Sequence, residues 1–225
     1  MDNIKEYYEG YWSNPSDYDD PTTPMRIELL KRHLSSFPAG SRVLDAGCGR
    51  GEFCQTFKQM GMEPTGTDLS EAVIEYARSQ FPDLDWRACM IEELLPEHTK
   101  AFDAVFSSEV IEHLFDVTGF LATANGLLKD DGTLVLTTPY HGLIKNLLID
   151  CFGYDRHYDP AGQHVRFFDR KGLTRCLEMT GFRVEHLTGY GRPWPLWKSF
   201  FVVAKKVRHM DHKPAFGTQG VVVNT

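Results

Sequence analysis

Three glycines, Gly47, Gly49 and Gly51, fall within five residues directly after an apolar run that ends in Asp45, in the stretch VLDAGCGRGEF from 43 to 53. Glycines so placed let a chain turn tightly and bring its backbone N–H groups against a ligand. The spacing is G-x-G-x-G, whereas a pyrophosphate on a helix N-terminus calls for G-x-G-x-x-G. Asp68 follows 21 residues beyond Gly47, at the end of a second short run. An acid in that place accepts both hydroxyls of an adenosine ribose and disfavours a phosphorylated one. The chemistry on offer is therefore the capture of a nucleoside, with nothing built for a pyrophosphate.

Such a turn needs a strand before it and a helix after it, and the chain supplies both. Apolar or β-branched runs at 42–46, 63–69, 84–90, 102–108 and 132–138 read as strands. Helical spacing appears at 70–81, with Ser70 as N-cap, and at 116–130, and a further helix is expected to open near Glu52. Upstream, Thr23 as N-cap, Pro24 at the first helical position and Ile27, Leu30 and Leu34 on one face predict a helix from Pro24 to Phe37. Strands alternating with helices require a parallel sheet with crossovers on both faces, a doubly wound, Rossmann-like α/β fold.

The last third departs from that rhythm. A helix around GLIKNLLIDCF runs into the aromatic, histidine-rich GYDRHYDPAGQHVRFF, and another helix follows with Asp169 as N-cap and Gly181 as its stop. FRVEHLTGY and SFFVVAKK, joined by a short segment containing GRPWPLW, suit an antiparallel pair. The expected organisation is a helical lid over 1–38, a core over 39–206 with a substrate-covering insertion at about 140–168, and a loosely held tail over 207–225.

Composition narrows the function. A chain of 225 residues, 42% hydrophobic and 12% aromatic, can bury one substantial core. Its net charge of -7, from 24 basic against 31 acidic residues, opposes a phosphate backbone, so nucleic acid is not an expected partner. Five cysteines without C-x-x-C spacing indicate neither a disulfide framework nor a zinc site, and fit a reducing cytoplasm. No apolar run approaches the ~20 residues of a membrane span. NLLIDCFG and PWPLW could form an apolar entrance for a lipid tail, and peripheral membrane contact stays open.

VLDAGCGRGEF, GTDLS, FDAVFSSEVIEHLFD and LVLTTP occur in that order, and together they resemble the class I S-adenosylmethionine (SAM) dependent methyltransferases over most of residues 24 to 206. EVIEHL is similar to the subgroup of ubiquinone-biosynthesis O-methyltransferases and of many small-molecule and sugar O-methyltransferases. The resemblance implies a seven-stranded sheet in the order 3-2-1-4-5-7-6 with one antiparallel strand, and SAM across the glycine turn. It implies that Ala46, Gly47 and Gly49 line the methionine portion and that Asp45 orients the amino group. Asp68 would hold the ribose hydroxyls, with Leu69 on one adenine face, Met90 and Ile91 on the other, and the Ser108 carbonyl toward the amino group. Arg26, in PMR, falls where relatives place an arginine on the SAM carboxylate. Cys89 replaces an aspartate that bonds the adenine amine in many relatives, and Glu92 could substitute for it.

The activity implied is methyl transfer to a hydroxyl of a small molecule, a sugar or glycan precursor or a phenolic or quinone-type acceptor. A sulfonium methyl is already activated, so alignment of the nucleophile does most of the work and can be worth ~7–11 kcal/mol. A base adds about 10²- to 10⁴-fold and suits a histidine. His141, just past the fifth strand, is the first candidate, and His113 and His164 come next. Tyr11, Tyr140, Tyr154, Arg156, His157 and Tyr158 offer aromatic faces and donors to the acceptor, while Tyr8, Tyr11 and Trp12 could close over it. No carboxylate cluster has spacing that predicts a metal. A non-catalytic SAM-binding protein and a nicotinamide-dependent oxidoreductase remain as alternatives, the glycine spacing opposing the second. A monomer or homodimer is expected.

Overall fold

A computed structural model of the chain describes residues 2–17, 19–159 and 162–210. Its strands are β1 (Arg42–Ala46), β2 (Glu63–Asp68), β3 (Asp85–Ala88), β4 (Phe102–Ser108), β5 (Leu128–Pro139), β6 (Phe182–Tyr190) and β7 (Ser199–Lys206). They form one sheet in the order β3-β2-β1-β4-β5-β7-β6. β1 to β5 are mutually parallel, and β7 runs antiparallel to both of its neighbours. The helices are α1 (Asp2–Tyr11), α2 (Thr23–Leu34), α3 (Glu52–Gln59), α4 (Glu71–Gln80), α5 (Ile91–His98), α6 (Val117–Leu127), α7 (Leu143–Phe152), α8 (Tyr154–His157) and α9 (Arg170–Met179).

Alternation along β1 sends Leu44 and Ala46 into a core with α5, α6 and α9, through Ile91, Leu94, Leu121, Leu127, Leu173 and Leu177. Val43 faces the other way, toward Leu30 and Leu34 of α2 and Phe53 and Phe57 of α3. With both faces covered, the C-terminal edge of the parallel strands is left as the open crevice.

Side-chain caps close three helices, two of them, at Ser70 and Asp169, as the sequence predicts. Ser70 accepts from the Val73 N–H at 3.4 Å, Asp116 from Gly119 at 2.8 Å and Asp169 from Gly172 at 2.7 Å. α9 ends before Gly181, which takes φ +85. α2 instead starts one residue earlier than expected, with Thr22 as N-cap, and stops at Leu34. Pro38 disfavours helical backbone at Phe37 and accounts for the shorter end. α5 carries no strong periodic signal, with Pro96 inside it and only Ile91 and Leu94 buried.

α1 is fixed to the domain by an exchange between distant elements. Glu9 accepts from the Ser70 hydroxyl at 3.0 Å and from the backbone N–H groups of Glu71 at 2.6 Å and Ala72 at 3.2 Å, capping the N-terminus of α4. At the other end, residues 207–210 of the expected tail are held. Val207 and Arg208 donate to the Gly181 carbonyl, and Met210 to Asn125 Oδ1. The remainder, 211–225, lies outside the described residues. Among the described residues no helix is long and apolar enough to cross a membrane.

Candidate active site

The glycine turn closes on itself. Gly47, Gly49 and Gly51 all take positive φ (+78, +50 and +87), and a Cβ on Gly47 would run into the Val110 side chain. Its N–H groups, however, do not face a ligand as the sequence suggests. Gly47 and Cys48 donate to the Thr67 carbonyl at 2.8 and 3.0 Å, Gly49 to Asp68 Oδ2 at 3.1 Å and Gly51 to the Cys48 carbonyl at 3.0 Å. Strand β2 takes the first three and the turn's own Cys48 carbonyl the fourth, so these groups make no anion nest. That disfavours a pyrophosphate and with it the nicotinamide alternative.

A cavity of about 760 Å³ opens over this turn. Arg26, Ala46, Gly47, Gly49, Asp68, Leu69, Met90, Ile91 and Ser108 line it, as do Cys89 and Glu92, and Tyr8, Tyr11 and Trp12 of the N-terminal segment. Asp68 keeps lone pairs free while accepting from Gly49 and, at 3.1 Å, from the Ser70 N–H. Burial raises its pKa, and those backbone donors oppose the rise. Arg26 is buried, donating to Asp20 at 2.5 Å and to the Ser108 hydroxyl at 2.6 Å, with its Nε left without a partner.

Asp45 departs from the expected position. It does not line the cavity, because strand alternation turns it to the α3 face, where Cys54 Sγ lies 3.5 Å from Oδ2. Its Oδ1 has no partner, and burial pushes the carboxyl up to about 8.

A second cavity of about 520 Å³ adjoins the first, and Glu109 and His164 line both. Glu109, at φ +55, follows the last residue of β4. Its Oε1 accepts from the hydroxyls of Thr137 at 2.8 Å and Tyr190 at 3.3 Å, and Oε2 from Ser199 at 3.2 Å. Glu112, in the 3-10 turn Ile111–His113, is fully buried, bonded by Thr138 at 3.0 Å and unpartnered at Oε1. Burial drives both carboxyls upward, and Glu109 pushes Glu112 further. Ligand atoms of Glu112, His113 and His164 lie within 4.8 Å of one another, a donor set that could hold a divalent cation. Sequence reading named His113 and His164 but neither acid nor the grouping; the visible signal was E-x-x-E-H directly after a strand of the parallel sheet.

The histidines separate. His113 lines the first cavity, with Nδ1 3.1 Å from the Gln163 carbonyl, and His164 stands at the junction. His141 lines neither cavity. It is 4% exposed, packed against His157 and Phe167, with Nδ1 3.2 Å from Asn146 Oδ1, and burial above all pushes its pKa down to about 4. The expectation that it meets the reacting group is corrected: α7 and α8 fold over it. Of the other acceptor candidates, Tyr11 lines the first cavity and His157 the second. Tyr140 packs on Trp197 and Phe200, Tyr158 on His157 and Phe167, and Tyr154 and Arg156 are exposed; none of the four lines either of these two cavities.

The family profile described as "Methyltransferase domain" matches residues 23–187. Curated relatives include the ubiquinone biosynthesis O-methyltransferase of Rhodopseudomonas palustris, 37% identical over 200 residues, covering 80% of this chain and 74% of that one. The protein of the same name from Xanthomonas axonopodis pv. citri is 35% identical over 179 residues, covering 76% and 74%. Among solved structures, magnesium protoporphyrin IX methyltransferase from Synechocystis, with S-adenosylhomocysteine bound, superposes with TM-score 0.69 at 16% identity, covering 90% of this chain and 98% of that one. The larger cavity fits SAM. Asp68 in its lining keeps lone pairs free for a diol, and the buried Arg26 guanidinium in its lining carries a charge complementary to a carboxylate.

Proposed function

This chain belongs to the class I SAM-dependent methyltransferases, in the branch of the ubiquinone biosynthesis O-methyltransferases, and from that premise we propose that it methylates a phenolic or quinol hydroxyl of a small molecule. When bound, SAM supplies a methyl group already activated on a sulfonium. In this reading Asp68 holds the ribose diol, Leu69, Met90 and Ile91 enclose the adenine, and Arg26 takes the carboxylate. Tyr8, Tyr11 and Trp12 exclude water from above.

The observation that carries the reading is the junction of the two cavities at Glu109 and His164. An acceptor in the smaller cavity presents its hydroxyl there. Glu109 takes the proton in place of His141: three hydroxyls hold its carboxyl still, and a pKa raised by burial brings it closer to that of a phenol. Leu148, Ile149, Phe152 and Leu196 favour a ring over a sugar, whose hydroxyls would find few partners on such walls.

Incubation with methyl-labelled SAM and a panel of catechols, quinols and sugars tests this. Label is expected in the aromatic acceptors as a methyl ether; label confined to sugars would overturn the reading.

A further inference from the structure

The smaller cavity has a charge pattern that a hydroxyl acceptor alone does not use. Beside its apolar wall stand Lys145, Arg192 and Lys198, a local reversal of sign in a chain of net charge -7. Their partners do not match them. Lys145 Nζ donates to the carbonyls of Tyr140 at 2.6 Å and Lys198 at 3.2 Å and meets no carboxylate, so one of its three donors is left over. Arg192 makes no hydrogen bond or ion pair among the described residues. Lys198 shares Asp20, at 3.3 Å, with Arg26. The single acid among the lining residues, Glu109, is engaged by its three hydroxyls. His157 Nε2 is buried there without a partner. Burial first, and then Arg192, pull Lys145 down to about 8.

Three cations set against Glu109 and one carboxylate, Asp20, that Arg26 also uses leave an excess of positive charge, and a bound anion in a half-buried site offsets their repulsion through charge-assisted hydrogen bonds. We propose that Lys145, Arg192 and Lys198 hold an anionic group of the acceptor, a carboxylate or a phosphate-type group, while its apolar body lies against α7 and its hydroxyl reaches Glu109. This rests on the hydroxyl-acceptor reading above and narrows it to amphipathic aromatic anions.

The test is calorimetry on the full chain saturated with S-adenosylhomocysteine, using 3,4-dihydroxybenzoate, its neutral isostere 3,4-dihydroxybenzamide, and 3,4-dihydroxyphenylphosphonate. At least one anion is expected to bind about tenfold or more tightly than the amide, and the stronger of the two identifies the group. Arg192→Gln, at an exposed position, and Lys145→Met should each reduce that ratio, with S-adenosylhomocysteine affinity as the check that the variants fold. Equal affinity for the amide and both anions, no binding of any probe, or a ratio untouched by both variants overturns the proposal. Methyl transfer from labelled SAM is followed separately. Selective anion binding without methyl transfer would leave the cationic site standing and sink the hydroxyl-acceptor reading; equal affinities with methyl transfer would do the reverse.

Discussion

Replacing Asp68 with alanine should remove most of the affinity for the cofactor while leaving the fold in place. The carboxylate sits at the C-terminal end of β2 and lines the larger cavity, tied to the Gly49 and Ser70 N–H groups at 3.1 Å each. Those ties orient it and leave lone pairs for a diol. Two charge-assisted hydrogen bonds at about 1.5–3 kcal/mol each amount to about 3–6 kcal/mol, or about 10²- to 10⁴-fold in Kd. The substitution also leaves two backbone donors without acceptors, at about 1–3 kcal/mol each if they stay buried, so a fall in Tm is expected as well. Asp68→Asn separates the two effects, because the amide oxygen keeps one acceptor and nearly the same shape; its affinity should fall between those of wild type and alanine. Titration of S-adenosylhomocysteine by calorimetry gives the affinities, and circular dichroism shows how much chain is folded. A folded alanine variant within about threefold of the wild-type Kd would refute the reasoning.

Four further outcomes follow from the same geometry. Asp45 is protonated to about pH 8 when folded and only to about 4 when unfolded, so the native state holds an extra proton between those values. Stability should therefore fall as pH rises through that window, by up to about 1.4 kcal/mol per unit, and denaturant titrations of Asp45→Asn should show that slope removed. Glu109→Gln should lower kcat about 10²- to 10⁴-fold with little change in S-adenosylhomocysteine affinity; full turnover would rule it out as the base. His141→Ala should cost about 1–3 kcal/mol of stability through the lost packing and Asn146 bond, while kcat of the folded fraction stays near wild type. Manganese, followed by electron paramagnetic resonance, should bind at the Glu112, His113 and His164 cluster and lose affinity in Glu112→Gln; identical spectra for the two proteins would exclude that site.

The parts of the site legible in the sequence are those whose geometry is decided within a few residues. The glycine turn and Asp68 were readable because positive φ and a strand ending are local properties, and cap residues such as Ser70 and Asp169 likewise act within three positions. What a group faces is settled elsewhere in the chain. The N–H groups of the turn are taken by Thr67 and Asp68, some twenty residues on, which inverted their expected role. His141 stands at the edge of the sheet, as its place after β5 implies, yet α7 and α8 bury it. Glu109 and Glu112 gave no local sign of the cavities they face: the left-handed residue at 109 and the 3-10 turn bring both to the larger cavity and Glu109 to the smaller one as well. His164 joins them because its segment is tied there across some fifty residues: Val165 and Arg166 donate to the Glu112 carbonyl at 2.9 and 3.0 Å, and the Gln163 carbonyl lies 3.1 Å from His113 Nδ1. The inserted segment is thus tied to the backbone of the acid it covers. A shift of that segment moves His164, and with it the boundary between the two cavities, whereas the cofactor turn, bonded wholly within β1 and β2 and their loops, has no reason to follow.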